Sequence, residues 1–143
     1  MKREDKYQDT STFHYANANP KNRITSDCVI RALCTAMNES YDTVYRELFE
    51  FSLKHKYMLN DKKCYEKYLL SKGWVKKPQP KKDDNTKYTG KEFCQEIQDY
   101  TFNYPDRIIA HIGGHHVVAI VGGRIWDIWN SSGGCIGNYY VQE

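Results

Sequence analysis

The chain has 143 residues, of which 40% are hydrophobic, and this size fits one domain with a single core. Its formal net charge is only +3, which argues against a nucleic-acid partner, because proteins that bind nucleic acid usually concentrate positive charge on one face. No apolar run approaches the ~18 residues that span a membrane, and residues 1–23 contain no apolar secretory segment. The five cysteines are widely spaced and odd in number, so we expect a cytoplasmic protein without disulfides.

The first predicted helix begins at Cys28. Residues 1–24 before it are polar and irregular, and we expect an extended or flexible arm ahead of a single domain over residues 25–143. Ser26 or Asp27 is the expected N-cap, because its side-chain oxygen can accept a backbone N–H. Apolar residues at helical spacing define the inner face: Ile30, Leu33, Cys34 and Met37.

Three more helices are predicted after the first. The second extends from about Ser40 to His55, and the third runs over 61–72 and ends at Gly73, a residue suited to a left-handed cap. Residues 75–88 are predicted to be a polar, solvated loop. A capping-box pattern over Thr89–Glu92 opens the fourth helix. Its expected inward residues are Phe93, Ile97 and Tyr100.

Beyond Pro105 the pattern changes to short strands rich in Val, Ile, Trp and Tyr, separated by Gly-Gly pairs. The predicted strands are RIIAHI, HVVAIV, RIWDIW and NYYV. Because helices come first and antiparallel strands follow, the order predicts an α+β domain whose helices pack on one face of the sheet.

The predicted hairpin turns at Gly122-Gly123, where two glycines suit a tight turn with positive φ. In this register His116 and Asp127 are diagonal neighbours on one face, about 7–8 Å apart between Cα atoms. On the other face His115 lies opposite Asn130. A carboxylate beside an imidazole fixes its tautomer and favours its charged form, as a general base requires. Such a histidine is more often structural than catalytic, so the pair alone does not predict an enzyme.

Cys28 is the candidate nucleophile. At the start of a helix its sulfur lies near unpaired N–H groups and the positive end of the helix dipole, which favours the thiolate. Cys34, Cys64 and Cys94 fall within helical patterns and are predicted to lie in the core. Cys135 follows two glycines in a loop and has no assigned role.

The motifs around these residues resemble the layout of papain-like cysteine peptidases. SDCVIRALCTAM is followed far downstream by HVVAIVGGRIWD, so that a cysteine opens a helix and a histidine and an aspartate lie on successive strands. The opening DC-x-x-x-A is similar to bacteriocin-processing peptidase domains, and the combination resembles small phage and bacterial proteins of that fold. The resemblance covers residues 19–129. It implies Cys28 as nucleophile, His116 as base and Asp127 as the residue that orients the base.

The resemblance further implies a peptidase or amidase, isopeptidases included, that forms an acyl-enzyme on a peptide or protein substrate and needs no cofactor. A host protein is a candidate substrate if the chain is phage-encoded. Papain-like enzymes carry an oxyanion-binding amide six residues before the nucleophile. Here that residue is Asn22 in place of the usual glutamine, with Asn19 as a substitute, and Val29 replaces the usual glycine after the cysteine.

Three alternatives stay open. Zinc could bind the cluster of His111, His115 and His116, although neighbouring residues on a strand point to opposite faces and no paired-ligand motif is present. The fold could instead serve as a non-catalytic module that binds or inhibits a host factor, which a tyrosine-rich surface would suit. Trp129 could shield the contact between His116 and Asp127 from water, or could simply pack in the core. The substrate and the oligomeric state are left open by the sequence.

Overall fold

Four of the five α-helices in the computed structural model, which describes residues 1–143, follow the predicted pattern, and the fifth, of four residues, lies in the predicted N-terminal arm. Their bounds are α1 Arg3–Lys6, α2 Cys28–Met37, α3 Tyr41–His55, α4 Lys62–Ser71 and α5 Gly90–Asp99, with a 3₁₀ turn at Thr101–Asn103. The Ser40 side chain caps α3, and Thr89 and Glu92 form the predicted capping box of α5. The longest helix, α3, has 15 residues, and no helix is long and apolar enough to cross a bilayer.

Six strands form one mixed sheet in the order β1-β5-β4-β3-β6-β2. Their bounds are β1 Phe13–Tyr15, β2 Trp74–Lys77, β3 Arg107–Ile112, β4 His116–Val121, β5 Arg124–Asp127 and β6 Ile136–Gln142. Strands β3 and β4 match their predicted bounds. The hairpin register is also confirmed, because Val121 pairs with Arg124 across Gly122-Gly123.

The sheet is covered on both faces, and the fold is α+β as predicted. On one side α2, α3 and α4 pack against Ile109, Val117 and Ala119. On the other side α5 packs its Phe93 and Ile97 against a second core cluster. The prediction that the helices share one face of the sheet is therefore wrong. The central strands are apolar on both faces, and such strands need cover on both sides.

The predicted N-terminal arm is part of the fold rather than a flexible segment. Strand β1 pairs with β5 in parallel, and the Phe13 side chain is fully buried. The predicted loop over residues 75–88 likewise begins within β2, whose Trp74 is buried and which pairs with β6. Both strands have only three or four residues, too few for the alternating pattern to reveal them. Tyr100, predicted to face inward, is 54% exposed.

Candidate active site

The fold brings Cys28, His116 and Asp127 together from three elements. The tight hairpin places the start of β4 beside the end of β5, so the two residues at those ends can meet. His116 Nε2 and Asp127 Oδ2 lie 2.5 Å apart. Helix α2 packs on β4, and its first residue, Cys28, lies close enough to His116 for the imidazole to lower the pKa of the thiol. Since Nε2 is bound to the carboxylate, Nδ1 is the ring nitrogen that remains for the thiol.

The electrostatics of this group favour an ion pair between sulfur and imidazole. Burial alone raises the pKa of Cys28, but the hydrogen bond and charge of His116, together with the Val117 N–H, outweigh it, so the pKa lies below its usual value. Burial lowers the pKa of His116, yet the hydrogen bonds to Asp127 and Cys28 outweigh it and raise the pKa to about 9. Between these two pKa values the thiolate and the imidazolium coexist.

A buried arginine, Arg31, fixes the Asp127 carboxylate. Its Nη1 donates to Asp127 Oδ1 at 2.8 Å, and its Nε donates to Asp27 Oδ1 at 2.8 Å. The Ile128 N–H donates to the same Asp127 oxygen at 2.7 Å. Asp127 thus offers one oxygen to its structural partners and the other to His116. This division holds the imidazole in one orientation and one tautomer.

Sequence reasoning missed Arg31, although a signal was present. Asp27 and Arg31 are spaced i, i+4, and the arginine interrupts a helix segment that is otherwise apolar. Asp27 is the N-cap by position but makes no side-chain cap bond, so its expected capping role is wrong. Its second oxygen accepts from Asn19 Nδ2 at 3.0 Å and from the Tyr41 hydroxyl at 2.8 Å.

The N-terminal segment also contacts the backbone of the site, at Asp127 and Ile128. The Ala16 N–H donates to the Asp127 carbonyl at 2.9 Å, and Tyr15 pairs with Asp127 across β1 and β5. The Arg3 guanidinium donates to the Ile128 carbonyl at 3.0 Å. The segment predicted to be an extended or flexible arm is therefore hydrogen-bonded to the backbone of Asp127 and Ile128.

The two asparagines predicted to bind an oxyanion make hydrogen bonds to other residues. The Asn19 amide donates to Asp27 and, at 3.4 Å, to the Tyr41 hydroxyl. Asn22 is exposed, adopts a left-handed φ of 53°, and its amide oxygen accepts a bond from Asn17. Neither side chain is hydrogen-bonded to Cys28, and both oxyanion assignments stay predictions. The available donor is the Cys28 backbone N–H, which has no partner within the helix because it lies in the first turn.

The three residues predicted to support the site lie at different places around it: His115, Asn130 and Trp129. His115 is exposed and makes no bond to Asn130, whose side chain instead accepts from the Ser132 N–H, so the second His–Asn couple does not form. The Trp129 ring lies over His116 with centroids 5.2 Å apart and is 39% exposed. It therefore covers the outer side of the imidazole and is not a core residue.

The remaining cysteines and histidines lie away from this group. Cys34, Cys64 and Cys94 are buried, as predicted, and Cys135 is exposed. His111 is buried between the hydroxyl groups of Tyr65 and Tyr140. No three His, Cys, Asp or Glu side chains come together in an arrangement suited to a metal ion.

Comparison of the chain with known families, proteins and structures gives no match. No family model, no curated protein and no solved structure matches the chain. Function is therefore inferred from the side-chain geometry of the site.

Proposed function

We propose that the protein is a cysteine-dependent hydrolase of papain-like layout that cleaves an amide or peptide bond through an acyl-enzyme. The observation that carries this proposal is the Cys28 thiol with a lowered pKa beside an imidazole, His116, with a raised pKa. A buried carboxylate, Asp127, holds that imidazole. The order of these groups along the chain is the order in papain-like peptidases, which adds support.

The mechanism follows from the three roles. The Cys28 thiolate attacks the carbonyl carbon, and the carbonyl electron pair moves to oxygen, where the Cys28 N–H stabilises the negative charge. Collapse of this intermediate expels the amine, which takes the proton of the His116 imidazolium and leaves a thioester. Neutral His116 then removes a proton from water, the hydroxide adds to the thioester carbon, and the acid leaves as the thiolate re-forms.

The proposed substrate is a peptide or a protein, and a host protein is a candidate if the chain is phage-encoded. Because the thiolate must stay reduced to react, we propose that the protein acts in a reducing compartment such as the cytoplasm. All five cysteines are free thiols in the structure, in keeping with that setting.

Comparison of wild type with Cys28→Ala and Cys94→Ala on a fluorogenic peptide-amide library tests the proposal, since Cys94 lies in the second core cluster and lines no cavity beside the site. Wild type and Cys94→Ala are expected to release the fluorophore at equal rates, and Cys28→Ala is expected to release none. Mass spectrometry should also detect an acyl adduct on Cys28 with a slowly deacylating ester. Equal rates for wild type and Cys28→Ala, or the absence of hydrolysis of any amide, would rule out the hydrolase.

A second candidate is a non-catalytic binding module, which one observation favours. The Asn19 amide, one of the two expected oxyanion donors, donates to Asp27 and to the Tyr41 hydroxyl. A binder would capture the same host protein with wild type and with Cys28→Ala, and neither variant would release a cleaved product. Cleavage of the captured protein by wild type alone would exclude this second candidate.

A further inference from the structure

Two cavities lie beside the turn that precedes His116. One has a volume of about 660 Å³ and is called the polar cavity here; its walls include Lys62, Tyr65 and Lys87. The other, about 500 Å³, is called the glycine slot; its walls include His116, Trp129 and Gly133. Gly113 and His115, in the turn between β3 and β4, line both cavities. A substrate that crosses this turn can therefore occupy both.

The glycine slot lies on the leaving-group side of the site. The imidazole of His116 forms part of its wall, and in the proposed mechanism this ring passes a proton to the departing amine. The amine must lie within hydrogen-bond reach of the ring at that step. The slot has no Lys, Arg, Asp or Glu in its walls, so it suits a small, uncharged leaving group.

The polar cavity lies on the other side of the turn and is close to the sulfur. Tyr65 in its wall belongs to the core cluster against which Cys28 packs. Burial raises the pKa of Tyr65, and negative charge on Cys28 raises this pKa further. Once the amine occupies the glycine slot, the polar cavity is the space left for the acyl side of the substrate.

The charges of the polar cavity are unbalanced. Lys62 donates at 2.9 Å to the neutral amide oxygen of Asn138, and neither Lys62 nor Lys87 pairs with a carboxylate. Asp61 is the one acidic residue in the wall. Burial lowers the pKa of His111, and the charge of Lys62 lowers it further, to about 4, so His111 is neutral in the wall at pH 7. The cavity therefore carries two cations against one anion.

We propose that the polar cavity binds the carboxylate of an acidic side chain on the acyl side of the cleaved bond. This inference rests on the proposed hydrolase function and adds the substrate class. A carboxylate gains charge-assisted hydrogen bonds from Lys62 and Lys87 that an amide or an ammonium group cannot match. The neutral His111 ring and the Tyr65 hydroxyl add no charge that would oppose it.

The test uses tetrapeptide amides of aminocoumarin in which Glu, Gln or Lys occupies each acyl-side position in turn. At one position wild type should prefer Glu over Gln and Gln over Lys in kcat/KM. Lys87→Glu should lower kcat/KM for that Glu peptide about tenfold and raise it for the Lys peptide, because an attractive contact becomes repulsive. Lys63→Glu is the matched control, since Lys63 is an exposed neighbour on the same helix as Lys62 and lines neither cavity.

Binding separates failure of this inference from failure of the hydrolase. Fluorescein-labelled versions of the same peptides are titrated against Cys28→Ala, which cannot turn them over. Tighter binding of the Glu peptide, lost in Cys28→Ala/Lys87→Glu and kept in Cys28→Ala/Lys63→Glu, supports the acidic subsite even if wild type hydrolyses nothing. Equal binding of the three peptides, or equal effects of the two lysine substitutions, would overturn the inference whether or not hydrolysis is seen.

Discussion

A buried histidine and a half-buried histidine on neighbouring strands have opposite electrostatic properties. His111 on β3 lies within 3.5 Å of the Tyr65 hydroxyl and 3.3 Å of the Tyr140 hydroxyl. Burial lowers its pKa, the charge of Lys62 lowers it further, and the result is about 4. His116 on β4 meets a carboxylate and a thiol, and its pKa rises to about 9 although burial opposes the rise.

The groups that contact each imidazole decide its charge. Both rings lose water on folding, and this loss disfavours the charged form in each. Only His116 has a carboxylate in direct contact with its ring, and this contact compensates for the loss. Only His116 can therefore remain an imidazolium at neutral pH, whereas His111 is a neutral member of a hydroxyl network.

The largest effect is expected from Asp127→Asn, which makes the partner of His116 neutral. The amide can keep a bond to Arg31 but no longer compensates a charged imidazole, and it can bind the wrong tautomer. We expect kcat/KM to fall about 10³-fold or more. Histidine NMR titration should show a lower pKa for His116 and no change for His111. Retention of near wild-type activity would show that the carboxylate is not needed.

Arg31→Met removes the cation that joins Asp27 and Asp127. It leaves two buried carboxylates without their shared partner, so we expect the free energy of unfolding to fall by about 3–5 kcal/mol. Urea denaturation measures this loss. Lys72→Met is the matched control, since it breaks the half-exposed pair with Glu47, and its cost should stay below about 1 kcal/mol. Equal losses would show that the buried Arg31 network stabilises the fold no more than the half-exposed ion pair does.

Trp129→Ala uncovers the outer side of the His116 ring. An aromatic contact of this kind contributes about 0.5–1.5 kcal/mol, so kcat/KM should fall about two- to tenfold. Trp129→Phe should recover most of the loss, because it restores a ring over the imidazole. Steady-state kinetics on one fluorogenic substrate compares the two variants. A full loss of activity in Trp129→Phe would contradict a covering role.

His111→Gln should change kcat least, because His111 lines the polar cavity but takes no part in the proposed chemical steps. Its effect should appear instead in stability against pH. The pKa of His111 is about 4 in the folded protein and near 6.5 when unfolded. Between pH 6.5 and 4 the unfolded chain binds the extra proton, so wild type loses stability as pH falls through this window. His111→Gln should lose less over the same range in urea denaturation, and an identical loss would contradict a depressed pKa.

Much of the site could be predicted from local sequence signals. A hairpin with a two-glycine turn has one favoured register, and that register places His116 near Asp127. The start of α2 followed from periodicity, which put Cys28 at the first turn. These predictions needed only neighbours along the chain or across one hairpin.

The rest depended on contacts between distant parts of the chain. The link between Arg31 and Asp127 joins residues 96 positions apart, and no spacing rule reports it. Strand β1 is too short to show alternation, so its parallel pairing with β5 could not be read from residues 13–15. The distance from Cys28 in sequence points to Asn22, with Asn19 as its substitute, but spacing does not report that the Asn19 amide donates to a buried carboxylate, Asp27.

The pH dependence of Cys28 alkylation tests the central claim most directly. Iodoacetamide labelling followed by peptide mass spectrometry gives the rate at Cys28 between pH 4 and 10, with exposed Cys135 as a reference in the same sample. We predict that the Cys28 rate has its midpoint at a pH below the value of about 8.5 that is usual for a thiol, and that His116→Ala raises this midpoint. A Cys28 rate that rises only near pH 8.5, unchanged in His116→Ala, would contradict the thiolate–imidazolium pair.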